Sequence, residues 1–204
     1  MTEIVRGGIG HSVELVPQRR SMFCPSCQPI GVTMFVMDAT ALRELQAPLK
    51  QRYRDEPATA HTPVGAFGTF ESPGITCAVS TWSGITRAGL HPATGGDGSD
   101  SCSADMLLQA LLACAGVTMR SVATAIGVRI DSAELSVDGM FDVRGTLGVS
   151  RDVPVGVQDV HIVAVLQTDA DDEALAKLAE LTERYCVVAQ SLAQMPSITI
   201  RRAA

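Results

Sequence analysis

The amino-acid sequence predicts an α+β fold, because strand-like and helix-like segments occur in separate blocks rather than in alternating βαβ units. The first observation is a long apolar helix at Ser103–Ile126, which two short strands precede. The second is a change to a period of two after Gly127, which is typical of antiparallel strands. The third is another helix, Asp169–Tyr185, followed by a last short strand.

The N-terminal segment differs from the rest of the chain. Residues 1–33 contain several Gly and Pro residues and no sustained period, so we interpret them as a poorly ordered leader. Residues 34–63 are interpreted as an N-terminal helical segment and a linker. Asp38 or Thr40 can cap this helix, and Pro48 predicts a kink or a break inside it.

The main domain, residues 64–204, begins with two predicted strands, 66–70 and 75–82, which a Ser-Pro-Gly turn separates. A glycine-rich loop follows from Gly89 to Ser101. The helix Ser103–Ile126 is apolar on two adjacent faces, and this pattern predicts a central, buried helix.

The second half of the domain predicts an antiparallel meander and a second helix. The meander strands are Ile130–Val137, Met140–Arg144, Leu147–Val149 and Val160–Gln167. The second helix begins with acidic residues, which the helix dipole favours there, and residues 186–194 continue or restart it. Pro196 ends this helix, and Ser197–Arg201 is the last predicted strand.

Composition excludes several classes of protein. The net charge of −6 argues against a nucleic-acid surface, and the hydrophobic content of 46% excludes disorder for most of the chain. The charge-free stretch of the apolar helix, Met106–Met119, has 14 residues, whereas a bilayer needs roughly 20. The first 20 residues lack a continuous apolar signal region. We therefore expect a cytoplasmic protein with reduced cysteines and neither membrane nor nucleic-acid partners.

The sequence predicts no bound metal and no bound cofactor. The four histidines have neither metal-ligand nor triad spacing, and the glycine-rich loop matches no nucleotide-binding motif. Cys24 and Cys27 form a lone CxxC, without the two further ligands that a zinc site needs. This pair either has no function or serves as a metal or redox sensor in a regulatory leader.

Cys114 and Cys186 are the candidates for thiol chemistry. Cys114 lies in the middle of the apolar helix, where a cysteine is either a small core residue or a reactive thiol. Cys186 follows Arg184 closely, and a helix restarting there would place its thiol at a positive dipole end; both features favour the thiolate. The dipole cannot act on Cys114, about three turns inside its helix. A cation would have to stabilise the Cys114 thiolate instead. Arg87 is the only Lys or Arg in residues 56–118.

Two segments resemble a known family. CSADMLLQALLACAGVTMR carries Cys114, and 72 residues later LTERYCVVAQSL carries Cys186. Together they resemble the OsmC/Ohr family of thiol peroxidases, over roughly residues 66–202. The resemblance implies the OsmC-like α+β fold, in which antiparallel sheets are wrapped around long central helices. It also implies an intertwined homodimer with two sites at the interface.

The resemblance also implies roles for individual residues. Cys114 matches the peroxidatic cysteine and Cys186 the resolving cysteine of the family. Asp105 matches the family's acidic residue, although many members carry Glu one position earlier, where this chain has Ala104. Arg87 is our choice for the arginine that stabilises the thiolate. The side chains predicted to line the substrate pocket are Leu111, Ala115, Val117 and His91.

The implied activity is the reduction of organic or fatty hydroperoxides in defence against oxidative stress. In that mechanism Cys114 becomes a sulfenic acid and condenses with Cys186 to a disulfide. An external dithiol such as a lipoyl group then restores both thiols. The alternative is a non-catalytic OsmC-like dimer that binds a small apolar ligand, and the altered acid position favours that alternative.

Overall fold

The computed structural model describes residues 37–81 and 83–203. The predicted leader, residues 1–33, and its two cysteines lie outside the described residues. Four α-helices are present in the described part: α1 Ala39–Asp55, α2 Ser103–Ile126, α3 Val143–Thr146 and α4 Asp172–Tyr185. Seven strands accompany them: β1 Phe67–Glu71, β2 Thr76–Thr81, β3 Gly84–Gly89, β4 Ser101–Cys102, β5 Ser132–Met140, β6 Gln158–Gln167 and β7 Ser197–Arg202. The α+β prediction is confirmed.

The first sheet has the strand order β1-β2-β3-β4. β1, β2 and β3 are antiparallel, with Glu71 opposite Thr76 and Ala78 opposite Arg87. β4 is short and pairs in parallel with β3, where Gly89 lies opposite Cys102. The strand β3 carries Arg87. The sheet therefore leads the chain directly into α2.

The helix α2 has the predicted bounds. Gly127 ends it at φ +79°, a left-handed conformation that glycine adopts without a steric penalty. Leu111, Ala115, Met119 and Ala123 are its buried residues, and their spacing of four places them in one stripe. The rest of its circumference is not buried within one chain, although the sequence predicts burial on several faces.

The second sheet, β5-β6-β7, packs against α2 and α4. β5 and β6 are antiparallel, as predicted, and β6 and β7 are parallel. Alternate residues of β6 face the helices and are buried: Val160, Ile162, Ala164 and Leu166. This face divides into two core clusters, one around Leu178 and one around Cys186. The second cluster underlies the candidate site.

Several sequence predictions of local structure are wrong. β5 runs on through Met140, and α3 replaces the strand predicted at Met140–Arg144. The reason is a local cap, because the Asp142 carboxylate accepts a hydrogen bond from the Arg144 N–H at 2.9 Å. A turn containing Gly148 at φ +69° replaces the strand predicted at Leu147–Val149.

Helix ends and interruptions also differ from the predictions. α1 continues through Pro48, so the break predicted there is wrong, whereas the kink stays a prediction. Asp38 caps this helix, as predicted. α4 ends at Tyr185, and a single short turn of 3₁₀ helix, Ala189–Ser191, follows it. The predicted continuation over residues 186–194 is therefore wrong. The non-helical conformation of Cys186, φ −74° and ψ 105°, ends the helix there.

Candidate active site

Two cysteines, 72 residues apart in the sequence, meet between α2 and the end of α4. Cys114 lies on α2, and Cys186 is the capping residue that follows α4. Both are free thiols, and Cys114 packs against the buried core cluster that contains Cys186. Their juxtaposition was predicted only through the family resemblance. We refer to Cys114 and Cys186 as the thiol pair.

The turn after α4 positions the Cys186 sulfur. The Cys186 N–H donates to the Thr182 carbonyl at 3.0 Å, which completes the last turn of the helix. The Cys186 carbonyl accepts from the Gln190 N–H, also at 3.0 Å, which closes the turn. Cys186 therefore lies at the C-terminal, negative end of α4. The predicted placement at a positive dipole end is wrong, because no long helix restarts there.

Hydrogen bonds lower the pKa of Cys114. Burial is the largest influence and by itself raises the pKa, because it disfavours the charged thiolate. The N–H groups of Val188 and Val187 and the Cys186 thiol oppose it by donating hydrogen bonds to the Cys114 sulfur. Their sum exceeds the effect of burial, so the pKa of Cys114 lies below the ordinary value for a thiol. Cys114 is therefore the more nucleophilic member of the thiol pair.

The pKa of Cys186 shifts in the opposite direction. Burial is the largest cause, and its hydrogen bond and charge interaction with Cys114 raise the pKa further. Hydrogen bonds from the N–H groups of Ala189 and Val188 compensate only in part. The pKa values of these two adjacent thiols thus shift in opposite directions, so Cys114 loses its proton at a lower pH than Cys186. The sequence prediction that Arg184 and a helix dipole favour a Cys186 thiolate is wrong.

The predicted pocket residues lie on two sides of the thiol pair. Leu111 and Ala115 are fully buried and pack with Ile162 and Ala189 beneath the sulfurs. Val117, one turn of α2 from Cys114, is 73% exposed. Leu111 and Ala115 therefore form the floor of the site. Val117, another of the predicted pocket residues, lies on the solvent-exposed side.

Arg87 lies in a separate cluster. Its Nε donates to the Asp100 carboxylate at 2.8 Å, and its Nη1 donates to Glu71. The Thr76 hydroxyl donates to the same Asp100 carboxylate at 2.5 Å. The hydrogen bond from Arg87, followed by the one from Thr76, holds the pKa of Asp100 below its usual range. We call these four residues the arginine cluster; within one chain it pairs Arg87 with carboxylates rather than with Cys114.

The structure also separates Asp105 and His91 from the thiol pair. Asp105 is an exposed residue in the first turn of α2, more than two turns before Cys114. The carboxylates bound to Arg87 are Asp100 and Glu71, not Asp105. His91 lies edge-on to Phe141, with ring centres 5.5 Å apart, in a cavity of about 350 Å³ that Cys102 also lines.

Comparison with known families identifies the chain. A family model described as OsmC-like protein matches residues 96–201, just over half of the chain. The matched segment contains both cysteines of the thiol pair. The chain belongs to the OsmC-like family. No curated protein matches it.

Solved structures share the fold of this OsmC-like protein. An OsmC-like protein of unknown function from Vibrio cholerae aligns with a TM-score of 0.57 and 13% identity, over 69% of this chain and 100% of the other. An organic hydroperoxide resistance protein from Elizabethkingia anophelis aligns with a TM-score of 0.54 and 12% identity, over 70% and 96%. A Legionella pneumophila protein, also described as an organic hydroperoxide resistance protein, gives 0.51 and 10%, over 71% and 100%.

Two further features of this OsmC-like protein concern metals and membranes. Within residues 37–81 and 83–203, no group of three His, Cys, Asp or Glu side chains could share a metal ion. By length and composition alone, α2 could cross a membrane. One such helix is weak evidence for a membrane span, because the core helix of a soluble protein passes the same test.

Sequence reasoning missed two parts of the site. The first is the set of main-chain N–H groups around the thiol pair. The identity of the side chains does not indicate where these groups point. The second is the surroundings of Arg87, where Glu71 and Asp100 accept its hydrogen bonds and Thr76 donates to Asp100. The sequence did contain one indication of the arginine cluster, since Arg87 is a single arginine in a segment with several acidic residues.

Proposed function

We propose that this OsmC-like protein is a thiol peroxidase that reduces organic hydroperoxides with Cys114 and Cys186. The observation that carries the proposal is the contact between two free thiols whose pKa values shift in opposite directions. A peroxidase of this kind needs one thiolate as the nucleophile and one neighbouring thiol to resolve the product. The similarity to the organic hydroperoxide resistance proteins of Elizabethkingia anophelis and Legionella pneumophila supports the choice of substrate class.

The proposed reaction has two chemical steps. The Cys114 thiolate attacks the distal oxygen of the hydroperoxide, the O–O bond breaks, and the alkoxide takes a proton and leaves as an alcohol. The sulfur is thereby oxidised to a sulfenic acid. Cys186 then loses its proton and attacks this sulfur, an S–S bond forms, and the hydroxyl leaves as water. In total, two thiols and one hydroperoxide give one disulfide, one alcohol and one water.

The cycle closes with an external reductant. A dithiol, such as a lipoyl group, supplies two electrons and two protons and becomes a disulfide while both cysteines return to thiols. Cys186 is fully buried and Cys114 only partly so. We therefore propose that the reductant enters at the Cys114 sulfur.

We also propose a homodimer as the working form. α2 is apolar over most of its circumference, yet one chain buries only one stripe of it. Large apolar side chains stay exposed on α2 and on the first sheet, including Val117, Phe70 and Ile85. A second copy of the chain would cover this surface, and sedimentation velocity of the purified protein measures the assembly directly. A monomer at micromolar concentration would contradict this part of the proposal.

Substrate preference follows from the surroundings of the thiol pair. Beneath the sulfurs the wall is aliphatic, and the side chains beside them, Val117 and Val187, are apolar and exposed. Such a surface favours a hydroperoxide with a hydrocarbon group over hydrogen peroxide, because the hydrocarbon gains free energy on leaving water. The roles predicted for Arg87 and Asp105 remain predictions.

The decisive experiment mixes the reduced protein with one equivalent of cumene hydroperoxide and maps the oxidised residues by peptide mass spectrometry. A Cys114–Cys186 disulfide, formed while the peroxide is consumed, supports the proposal. Cys114→Ser should abolish consumption, and Cys77→Ser, in strand β2, is the matched control that should retain it. If both thiols stay free while the peroxide persists, the peroxidase is rejected in favour of a non-catalytic dimer that binds a small apolar ligand.

A further inference from the structure

A cavity of about 350 Å³ opens beside the first turns of α2. One chain builds it from three segments: the glycine-rich loop with β4, the start of α2, and the connection between β5 and β6. Its wall is mainly apolar and contains Leu90, Leu107, Phe141, Val155 and Val157. We call it the His91 cavity, after the histidine that also lines it. Its volume lies within the range of about 300–1,000 Å³ that is typical of small-molecule sites.

Contacts within the chain hold the walls of the His91 cavity in place. The His91 carbonyl accepts a hydrogen bond from the Thr94 hydroxyl at 2.9 Å, and the His91 ring lies edge-on to Phe141. In the connection between β5 and β6, the Asp142 carboxylate accepts from the Arg144 N–H and fixes the start of α3. One chain therefore forms the cavity before any ligand is bound.

His91 supplies an oriented hydrogen-bond donor to this apolar cavity. Its Nδ1 accepts from the Ala93 N–H at 3.0 Å, so the proton of the neutral ring is on Nε2. Within residues 37–81 and 83–203, Nε2 has no hydrogen-bond partner. A fixed donor in apolar surroundings favours a ligand with an acceptor oxygen, because the hydrogen bond is stronger there than in water.

The rest of the wall determines what the ligand has to be like. Leu107 and Val155 are 36% and 60% exposed, so a hydrocarbon group that covers them gains free energy by removing apolar surface from water. The volume of the cavity limits the ligand to a compact molecule.

We propose that the His91 cavity is a binding site for a compact, mainly apolar molecule with one acceptor oxygen, such as a small aromatic alcohol. His91 Nε2 donates a hydrogen bond to that oxygen, and the aliphatic side chains and Phe141 enclose the hydrocarbon part. This site does not depend on the proposed peroxidase reaction, because neither Cys114 nor Cys186 lines the cavity.

The first test uses cumyl alcohol as the probe and three cysteines as markers of position. Cys102 lines the His91 cavity, whereas Cys77 lies on β2 and Cys114 belongs to the thiol pair. The reduced, full-length protein is alkylated with N-ethylmaleimide, and peptide mass spectrometry gives the rate at each cysteine. Alcohol at ten times its dissociation constant should slow Cys102 about tenfold and leave Cys77 unchanged. Protection of Cys114 without Cys102, or no protection of any cysteine at about 10 mM alcohol, would overturn the proposal.

The second test removes the donor of His91 and keeps its local hydrogen bond. His91 caps the short turn Pro92–Thr94, and asparagine is a favoured cap that still offers an acceptor to the Ala93 N–H. His91→Asn should therefore fold and raise the dissociation constant of cumyl alcohol about fivefold, the effect of one hydrogen bond. Its affinity for cumene, which lacks the hydroxyl, should not change. His161→Asn, on β6, is the matched control and should bind both probes as the unmodified protein does.

The third test fills the cavity. Leu107→Trp should raise the dissociation constants of cumyl alcohol and cumene at least about tenfold, because the larger ring occupies the space of the ligand. Leu45→Trp, at an exposed position of α1, is the control. Unchanged affinity for cumyl alcohol in both His91→Asn and Leu107→Trp would overturn the proposal, and either variant is informative if the other does not fold. Because no peroxide is present, these results are independent of whether the peroxidase reaction occurs.

Discussion

The thiol pair and the arginine cluster place ionisable groups in two different environments of one chain. In the thiol pair, a partly buried Cys114 and a fully buried Cys186 contact main-chain donors and aliphatic side chains. In the arginine cluster, Arg87 and Glu71 are substantially exposed, and Arg87 donates a hydrogen bond to Glu71. Aliphatic side chains surround the first, whereas opposite charges meet in the second, where Arg87 and Glu71 are open to solvent and the Asp100 side chain is 10% exposed.

This difference determines what each cluster does. Buried thiols are weakly solvated by water. A few hydrogen bonds are therefore enough to determine which of the two thiols ionises at the lower pH. Exposed ion pairs change the free energy of folding only slightly, because water and salt screen them. The arginine cluster therefore ties β3 to the glycine-rich loop and to β1, and the thiol pair is the site that we propose for the chemistry. Three measurements test whether the two clusters differ in this way.

The largest expected effect is on stability beneath the thiol pair. Leu111 is fully buried against Ala189 and Ile162, so Leu111→Ala leaves a cavity and loses buried apolar surface. We expect the free energy of unfolding to fall by about 3 kcal/mol, measured by urea denaturation. Val149→Ala, at a 72% exposed position, is the control and should change it by less than about 0.5 kcal/mol. Equal losses in the two variants would show that the floor of the site is not a packed core.

The next effect is the opposite titration of the two thiols. The pKa of Cys114 is lowered, so its thiolate persists as the pH falls below the ordinary midpoint of a thiol and disappears only below its own pKa. The pKa of Cys186 is raised, so its thiolate forms only above that midpoint. Midpoints of alkylation against pH, with N-acetylcysteine as the reference, measure both directions. A separation of one pH unit corresponds to about a tenfold difference in thiolate fraction near pH 7.

Coincident midpoints for Cys114, Cys186 and N-acetylcysteine would contradict this prediction. They would show that the main-chain donors of the turn do not decide which thiol ionises. The thiol pair would then resemble the arginine cluster in being governed by solvent.

The smallest effect is expected in the arginine cluster. The pKa of Asp100 is lowered, chiefly by its hydrogen bond from Arg87, so the pair stabilises the folded state above the unfolded-state pKa of Asp100. That stabilisation is lost as the pH falls through the folded-state pKa. Asp100→Asn should therefore lower the melting temperature at pH 7 and lower it less as the pH falls below 3.8. If Asp100→Asn lowers the melting temperature by the same amount at every pH, the interaction with Arg87 does not depend on the charge of Asp100.

Periodicity predicted the helices well and the short strands poorly. The bounds of α2 follow from its long apolar pattern and from Gly127, and both signals are local. The strands predicted at Met140–Arg144 and Leu147–Val149 failed, because the Asp142 cap and the turn at Gly148 outweigh a brief alternation of apolar residues. The end of α4 at Tyr185 was predicted, but the helix predicted to continue or restart over residues 186–194 is only a short 3₁₀ turn.

By itself, the sequence determined the α+β class, the long helix with Cys114, and the late helix that leads to Cys186. These features depend on residues that are near in the chain, so composition and period specify them. The tertiary structure decided which thiol ionises, because the donors to Cys114 are main-chain N–H groups from a turn more than 70 residues away. It also decided that Arg87 pairs with Asp100 and Glu71, since β-strand register and loop closure bring these charges together. Hydrogen-bond geometry and solvent exclusion arise only after the elements pack, and they set the chemistry of the site.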